Sequence, residues 1–229
     1  MQFDPAFWTI VSLSLKVASV AILVALPFAI ITAWVLARRQ FWGHGLLNGI
    51  VHLPLVLPPV VTGYLLLITF GRNGPVGGFL FDTFGITLAF TWTGAALAAG
   101  IMAFPLMVRA IRLGFDAVDT GLEAAAATLG ASPVRVFITV TLPLIAPGIL
   151  AGAVLGFAKA LGEFGATITF VAAIPGQTQT IPSAIYGLLQ VPGQEGAVVT
   201  LVVVSIILAM GALIVSEWLS SRMAKRLAA

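Results

Sequence analysis

Lys159 and Glu163 stand four residues apart in a stretch, 155–171, that otherwise holds only apolar, glycine and threonine residues. On a helix an i,i+4 pair shares one face, where opposite charges neutralise each other. Gly156, Gly162 and Gly165 surround the pair, and Thr167 and Thr169 continue the stretch with hydroxyls. Two chemistries fit: a structural ion pair, or the polar lining of a wet cavity between helices. The rest of the chain offers little for catalysis. It has no cysteine, which excludes disulfides, thiolate metal sites and thiol nucleophiles. His44 and His52 lack clustered carboxylates, so no metal site is expected. No G-x-x-x-x-G-K-[ST], H-E-x-x-H or G-x-S-x-G motif occurs, so neither nucleotide binding nor hydrolytic chemistry is expected of this chain.

The elements that position these residues follow from composition. The 229 residues are 60% hydrophobic and 8% charged, with a mean hydropathy of +1.12. A soluble domain is about 45–50% apolar and about one quarter charged. So much apolar surface requires lipid as solvent, and the fold class is an all-α integral membrane protein, read as one domain over 1–229. The start, MQFDPAF, lacks the basic region of a cleavable leader.

A spanning helix needs about 20 mostly apolar residues. Five stretches qualify, at 8–37, 47–70, 86–108, 148–171 and 197–218. Arg38, Arg39, Arg109, Arg112, Arg135, Arg222, Lys225 and Arg226 then fall on one side. Arg72 lies opposite, and Lys16 and Lys159 lie within spans. Basic residues collect on the cytoplasmic side, which puts the N-terminus outside and the C-terminus inside. They are read as topology, not as a nucleic-acid surface. Lys16 is placed to extend its stem toward the outer interface.

The stretch 136–171 is longer than a bilayer requires, about 50 Å if wholly helical. Pro143, Pro147 and Gly148 suggest a break, so 136–147 is placed at the cytoplasmic interface and the fourth span begins near Gly148. Pro54, Pro58 and Pro59 mark the second span as a kink or a moving gate. The outer loop 172–196 has no lysine or arginine and one apolar patch, 183–189. It reads as a partly folded lid or as a docking surface for an external partner.

The cytoplasmic loop 119–147 has its own pattern. Residues 122–129 are strong helix formers, Gly130 suits a left-handed cap, and Pro133 suits the first turn of a second helix. An interfacial linker and a partner-docking element both fit this helix–break–helix. The segment resembles the cytoplasmic loop of ABC-importer permeases: Glu-Ala-Ala, three residues, Gly, nine residues, Ile, one residue, Leu-Pro. Here Ala124-Ala125-Ala126, Gly130, Val140 and Leu142-Pro143 hold that spacing. Ala124 replaces the motif's Glu, with Glu123 one place earlier, and Val140 replaces Ile.

Three longer stretches, HLPLVLPPVVTGYLLL, FPLMVRAIRLGFDAVD and LGEFGATITFVAAIPGQTQTIPSAIYGLLQ, are similar to the molybdate/sulfate/thiosulfate branch, and the last most to molybdate permeases. The resemblance implies the ABC importer permease fold in a bacterial inner membrane and ATP-driven import of molybdate or tungstate. Sulfate or thiosulfate is the alternative substrate. It implies a second copy of the chain, two ATP-binding subunits against the loop, and an external molybdate-binding protein. ATP and magnesium then belong to the partner subunits, with no cofactor on this chain. It also implies that the helix of Lys159, Glu163, Gly165 and Thr167 lines the path, where a lysine partly neutralised by a glutamate attracts a divalent oxyanion without trapping it. An ion-coupled secondary transporter, which usually shows internal repeats, fits less well because no repeat is evident.

Overall fold

The computed structural model describes residues 5–227; the side chains at 216, 217, 219–221 and 223–227 lie outside that description, and with them the basic groups of Lys225 and Arg226. Every regular element among the described residues is helical. In chain order they are α1 (Pro5–Arg38), α2 (His44–Val56), α3 (Pro59–Phe70), α4 (Pro75–Phe84), α5 (Trp92–Asp116) and α6 (Thr120–Thr128). Then follow α7 (Pro133–Val136), a π-helical turn (Phe137–Thr141), α8 (Leu142–Leu161), α9 (Gly165–Val171), α10 (Ile181–Leu188) and α11 (Glu195–Leu227).

Lipid tails are as apolar as leucine, so helices associate in a membrane through close packing and interhelical bonds. The sequence of α5 suits that role. Gly94, Ala95, Ala96, Ala98, Ala99, Gly100 and Ala103 are all buried, and the helix lies between α1 and α8. The facing surfaces are equally small. Ala18, Ala21, Ala29 and Ala33 of α1 are buried. Gly148, Gly152 and Gly156 form a stripe on α8 against α5: a Cβ on Gly156 would stand 2.7 Å from Met107 Cγ.

Four continuous helical stretches are long and apolar enough to cross a bilayer: 5–38, 92–116, 133–161 and 195–215. The expected second span, 47–70, is not one straight helix: α2 and α3 meet at 113°, and count as a fifth span only when taken together. Pro54 stays inside α2, and the turn falls at Leu57–Pro58, with Pro59 opening α3. A proline excludes the preceding residue from helix and is favoured at a first turn, so the tandem prolines set this bend. The expected third span, 86–108, starts later, at Trp92, and runs on to Asp116.

The fourth span also differs from expectation. No break occurs at Pro143 or Pro147, and the helix runs through from Pro133 to Leu161. The π turn explains part of this, since Leu142 N–H bonds back to Phe137 O. The regular ladder is already interrupted there, so the N–H missing at Pro143 costs little. The break comes later, at Gly162–Phe164, inside the stretch expected to be one helix to Val171.

The segment 172–196 packs back onto the bundle through α10. Ile181 and Ala184 of α10 are buried with Val11 of α1 and Leu201 of α11. Ser14 Oγ on α1 accepts from Ile181 N–H at 2.8 Å. Lys16 lies with Nζ 3.7 Å from the centroid of the Trp92 ring, a cation–π contact that holds an ammonium beside apolar surface.

Candidate functional site

Glu163 sits in the break between α8 and α9. Its carboxylate, 2% exposed, accepts from Lys159 Nζ at 2.5 Å. Its second oxygen accepts from Ala166 N–H at 3.0 Å, so one side chain joins the ion pair and caps α9. Lys159 keeps 31% of its side chain exposed. Thr167 is buried, and its hydroxyl donates to Phe164 O at 2.9 Å; Thr169 donates to Gly165 O at 2.9 Å. Both hydroxyls back-bond to their own segment.

Gly165 and Pro59, drawn from two separate expected sets, meet. A Cβ on Gly165 would stand 2.6 Å from Pro59 Cβ, and one on Gly63 would stand 2.5 Å from Ala166 O and 2.8 Å from Thr169 Cβ. Since 59 faces 165 and 63 faces 166 and 169, α3 and α9 run parallel. Their N-terminal ends therefore lie together beside the Lys159–Glu163 pair. Helix N-termini carry unsatisfied N–H groups and partial positive charge. The α9 end is already met by the Glu163 carboxylate through Ala166 N–H, so the ion pair and the two helix starts share one break in the chain. Sequence spacing alone did not reveal this α3–α9 seam. The other proline of the set, Pro54, stays inside α2, while Pro58 caps α3. Phe164, in the break, packs on Tyr186 of α10 with ring centroids 5.0 Å apart, which joins α10 to the same point.

At the far end, the 119–147 loop has the expected helix–break–helix form. Asp119 caps α6 by accepting from Gly121 N–H at 2.8 Å. Gly130 closes α6 with φ +86°; its N–H bonds Ala127 O at 3.0 Å, and Ala131 N–H bonds Ala126 O at 3.2 Å, the paired bonds of a Schellman cap. Ser132 caps the following helix at Arg135 N–H, with Pro133 in its first turn. No residue of α6 is buried, Ala124, Ala125 and Ala126 included. Leu122, Leu129, Val134 and Ile138 are all exposed. Val140 and Leu142 are half-buried beside the π turn, and Pro143 is exposed.

Glu123 does not face outward with them. Its Oε1 accepts from Arg38 Nη2 at 3.3 Å and from Thr141 Oγ1 at 2.7 Å. It thereby ties α6 to the end of α1 and to the π turn. Arg38 and Thr141 were not expected as partners, because they lie 85 and 18 residues away. His44 Nε2 and His52 Nδ1 each bond a main-chain carbonyl, of Leu36 and of Asn48.

Residues 25–225 match the family described as binding-protein-dependent transport system inner membrane component. The chain is 61% identical over 217 residues to the molybdenum transport system permease protein ModB of Escherichia coli (strain K12), covering 95% of this chain and 94% of that one. It is 40% identical over 155 residues to the sulfate transport system permease protein CysW of Synechococcus elongatus, covering 68% and 54%. Among solved structures, an inward-facing MetNI methionine ABC transporter superposes with a TM-score of 0.70 at 16% identity, over 94% of this chain and 93% of that one. At that identity the likeness is one of fold.

Proposed function

The chain belongs to the family of binding-protein-dependent transport inner membrane components, and from that premise we propose that it is the permease subunit of an ATP-driven molybdate importer. The observation that carries the substrate is the 61% identity extending over 95% of the chain. The sulfate-system relative is less similar and matches a shorter stretch. The chain is a multi-pass membrane protein with helices long enough to cross, in keeping with a bacterial inner membrane, the N-terminus outside and the basic ends inside.

Two copies of the chain enclose the path, with the α3–α9 seam toward it. The converging N-terminal ends and Lys159 draw the oxyanion in, and Glu163 limits the net charge so that it can leave. On the cytoplasmic side each copy meets one of two ATP-binding subunits. The exposed apolar residues of α6 and α7 supply that contact, and the Arg38–Glu123–Thr141 clasp makes the loop move with α1 and α8. The lid at α10 faces the external molybdate-binding protein. ATP and magnesium are held by the partner subunits.

Copurification of the chain with its associated subunits, followed by ATP hydrolysis in lipid discs with the loaded binding protein, tests this reading. Molybdate-loaded binding protein stimulates hydrolysis. Stimulation by sulfate in its place would move the chain to the sulfate systems.

A further inference from the structure

At the end of the bundle that carries the 119–147 loop, α2 and α5 leave a cavity of about 410 Å³ lined by Asn48, His52, Arg109, Arg112, Leu113 and Asp116. None of these residues belongs to the α3–α9 seam. Arg112 Nη1 donates to Asn48 Oδ1 at 3.4 Å, and Arg112 Nε lies 3.8 Å from Asp116 Oδ2. His52 Nδ1 donates to Asn48 O at 2.8 Å. A carbonyl only accepts, so this bond places the proton on Nδ1 and leaves Nε2 as the ring's remaining polar atom. Arg109 makes no hydrogen bond or ion pair with any described residue.

Two guanidinium groups against one carboxylate leave one uncompensated positive charge and an unused fork of N–H donors. Arginine's planar fork matches the oxygens of phosphate-like anions, often two at a time. On the same helix as Asn48 and His52, Leu46, Ile50 and Leu53 form an exposed apolar face, a surface along which an acyl chain can lie while its head group enters the cavity. Basic pockets between helices on the cytoplasmic side suit anionic head groups for that reason.

We propose that this cavity binds a tetrahedral oxyanion, supplied either as the phosphate of an anionic phospholipid or as free oxyanion at the inner face. Only the second source rests on the importer reading. A head group there would anchor α2 to α5 just below the 113° bend.

The test uses the purified protein with whatever subunits accompany it, stripped of lipid. It is titrated with dioleoylphosphatidylglycerol and separately with molybdate, and bound ligand is counted by native mass spectrometry. We expect one ligand per chain whose affinity falls about tenfold or more in Arg109→Gln, the loss of one charge-assisted contact. Arg39→Gln removes the same charge from the same end outside the cavity and leaves this binding unchanged. Arg109 carries the test because its guanidinium holds no internal contact, so the substitution leaves the fold intact. An Arg109-dependent phosphatidylglycerol identifies the head group, whether or not the chain is an importer. An Arg109-dependent molybdate in the absence of lipid identifies free oxyanion. Binding of both probes that is unaffected by Arg109→Gln, or equally weakened by Arg39→Gln, overturns the proposal.

Discussion

Lys159→Met and Glu163→Gln, made singly and together, separate packing from transport at the α8–α9 break. Lys159→Met leaves a carboxylate, 2% exposed, with Ala166 N–H as its remaining partner. Removing one partner of a fully buried pair costs about 3–5 kcal/mol. Lys159 is 31% exposed, so solvent reaches the pair and the cost falls to roughly 2 kcal/mol. That corresponds to about a 30-fold change in the folded-to-unfolded ratio. Glu163→Gln costs less, roughly 1 kcal/mol, because its Oε1 still caps α9 and the lysine can turn to water. The double variant strands no charge and keeps the cap. It therefore lies within about 1 kcal/mol of wild type, with a coupling of roughly 2–3 kcal/mol between the sites. Membrane abundance and thermal midpoint read the packing; molybdate uptake at equal abundance reads the transport. The double variant assembles but takes up little molybdate, and Lys159→Arg keeps part of the uptake. Wild-type uptake by the double variant would refute a role for Lys159 in the path and leave the pair as packing.

Five further substitutions, at four positions, address the seam and the loop. Gly63→Ala places a Cβ 2.5 Å from Ala166 O, main chain that cannot step aside, and lowers membrane abundance by forcing α3 from α9 at a cost of about 1–3 kcal/mol. Gly45→Ala, with open space around it, leaves abundance unchanged; equal loss in both would sink the seam. Glu123→Ala releases Arg38 and Thr141, costs about 1–2 kcal/mol, and reduces recovery of the ATPase subunits in pull-downs while the permease still inserts. Gly130→Val meets no neighbour but sits at φ +86°, so its penalty is conformational, about 1–2 kcal/mol. ATP hydrolysis then proceeds without matching uptake, whereas Gly130→Asn, tolerant of that φ, retains most coupling.

The loop was legible because its signals are local. Gly130 and Pro133 demand particular backbone geometry wherever they stand, and the structure has φ +86° at one and a first helical turn at the other. The Lys159–Glu163 pair was legible for the same reason, as an i,i+4 relation that survives although α8 ends at Leu161 and Glu163 lies just beyond it. The bend and the break were harder to read. Prolines occur in both the second and the fourth spans, yet only Pro58–Pro59 turns the chain, because the π turn beside Pro143 absorbs its missing N–H. The interruption of the fourth span falls instead at Gly162–Phe164, where Glu163 supplies a cap that hydropathy does not register. Long-range partners carried no signal in one sequence. Arg38 reads as a topology charge until the fold brings it 3.3 Å from Glu123, and Gly63 reads as a small residue until Ala166 lies against it.

Uptake into sealed vesicles tests the central claim most directly. The chain is reconstituted with its ATPase subunits, the loaded binding protein is supplied on the outer face, and ATP is sealed on the other. The account predicts molybdate accumulation that requires ATP, the ATPase subunits and the binding protein together, with excess sulfate a poor competitor. Accumulation driven by an ion gradient without ATP, or sulfate carried in preference to molybdate, would contradict it.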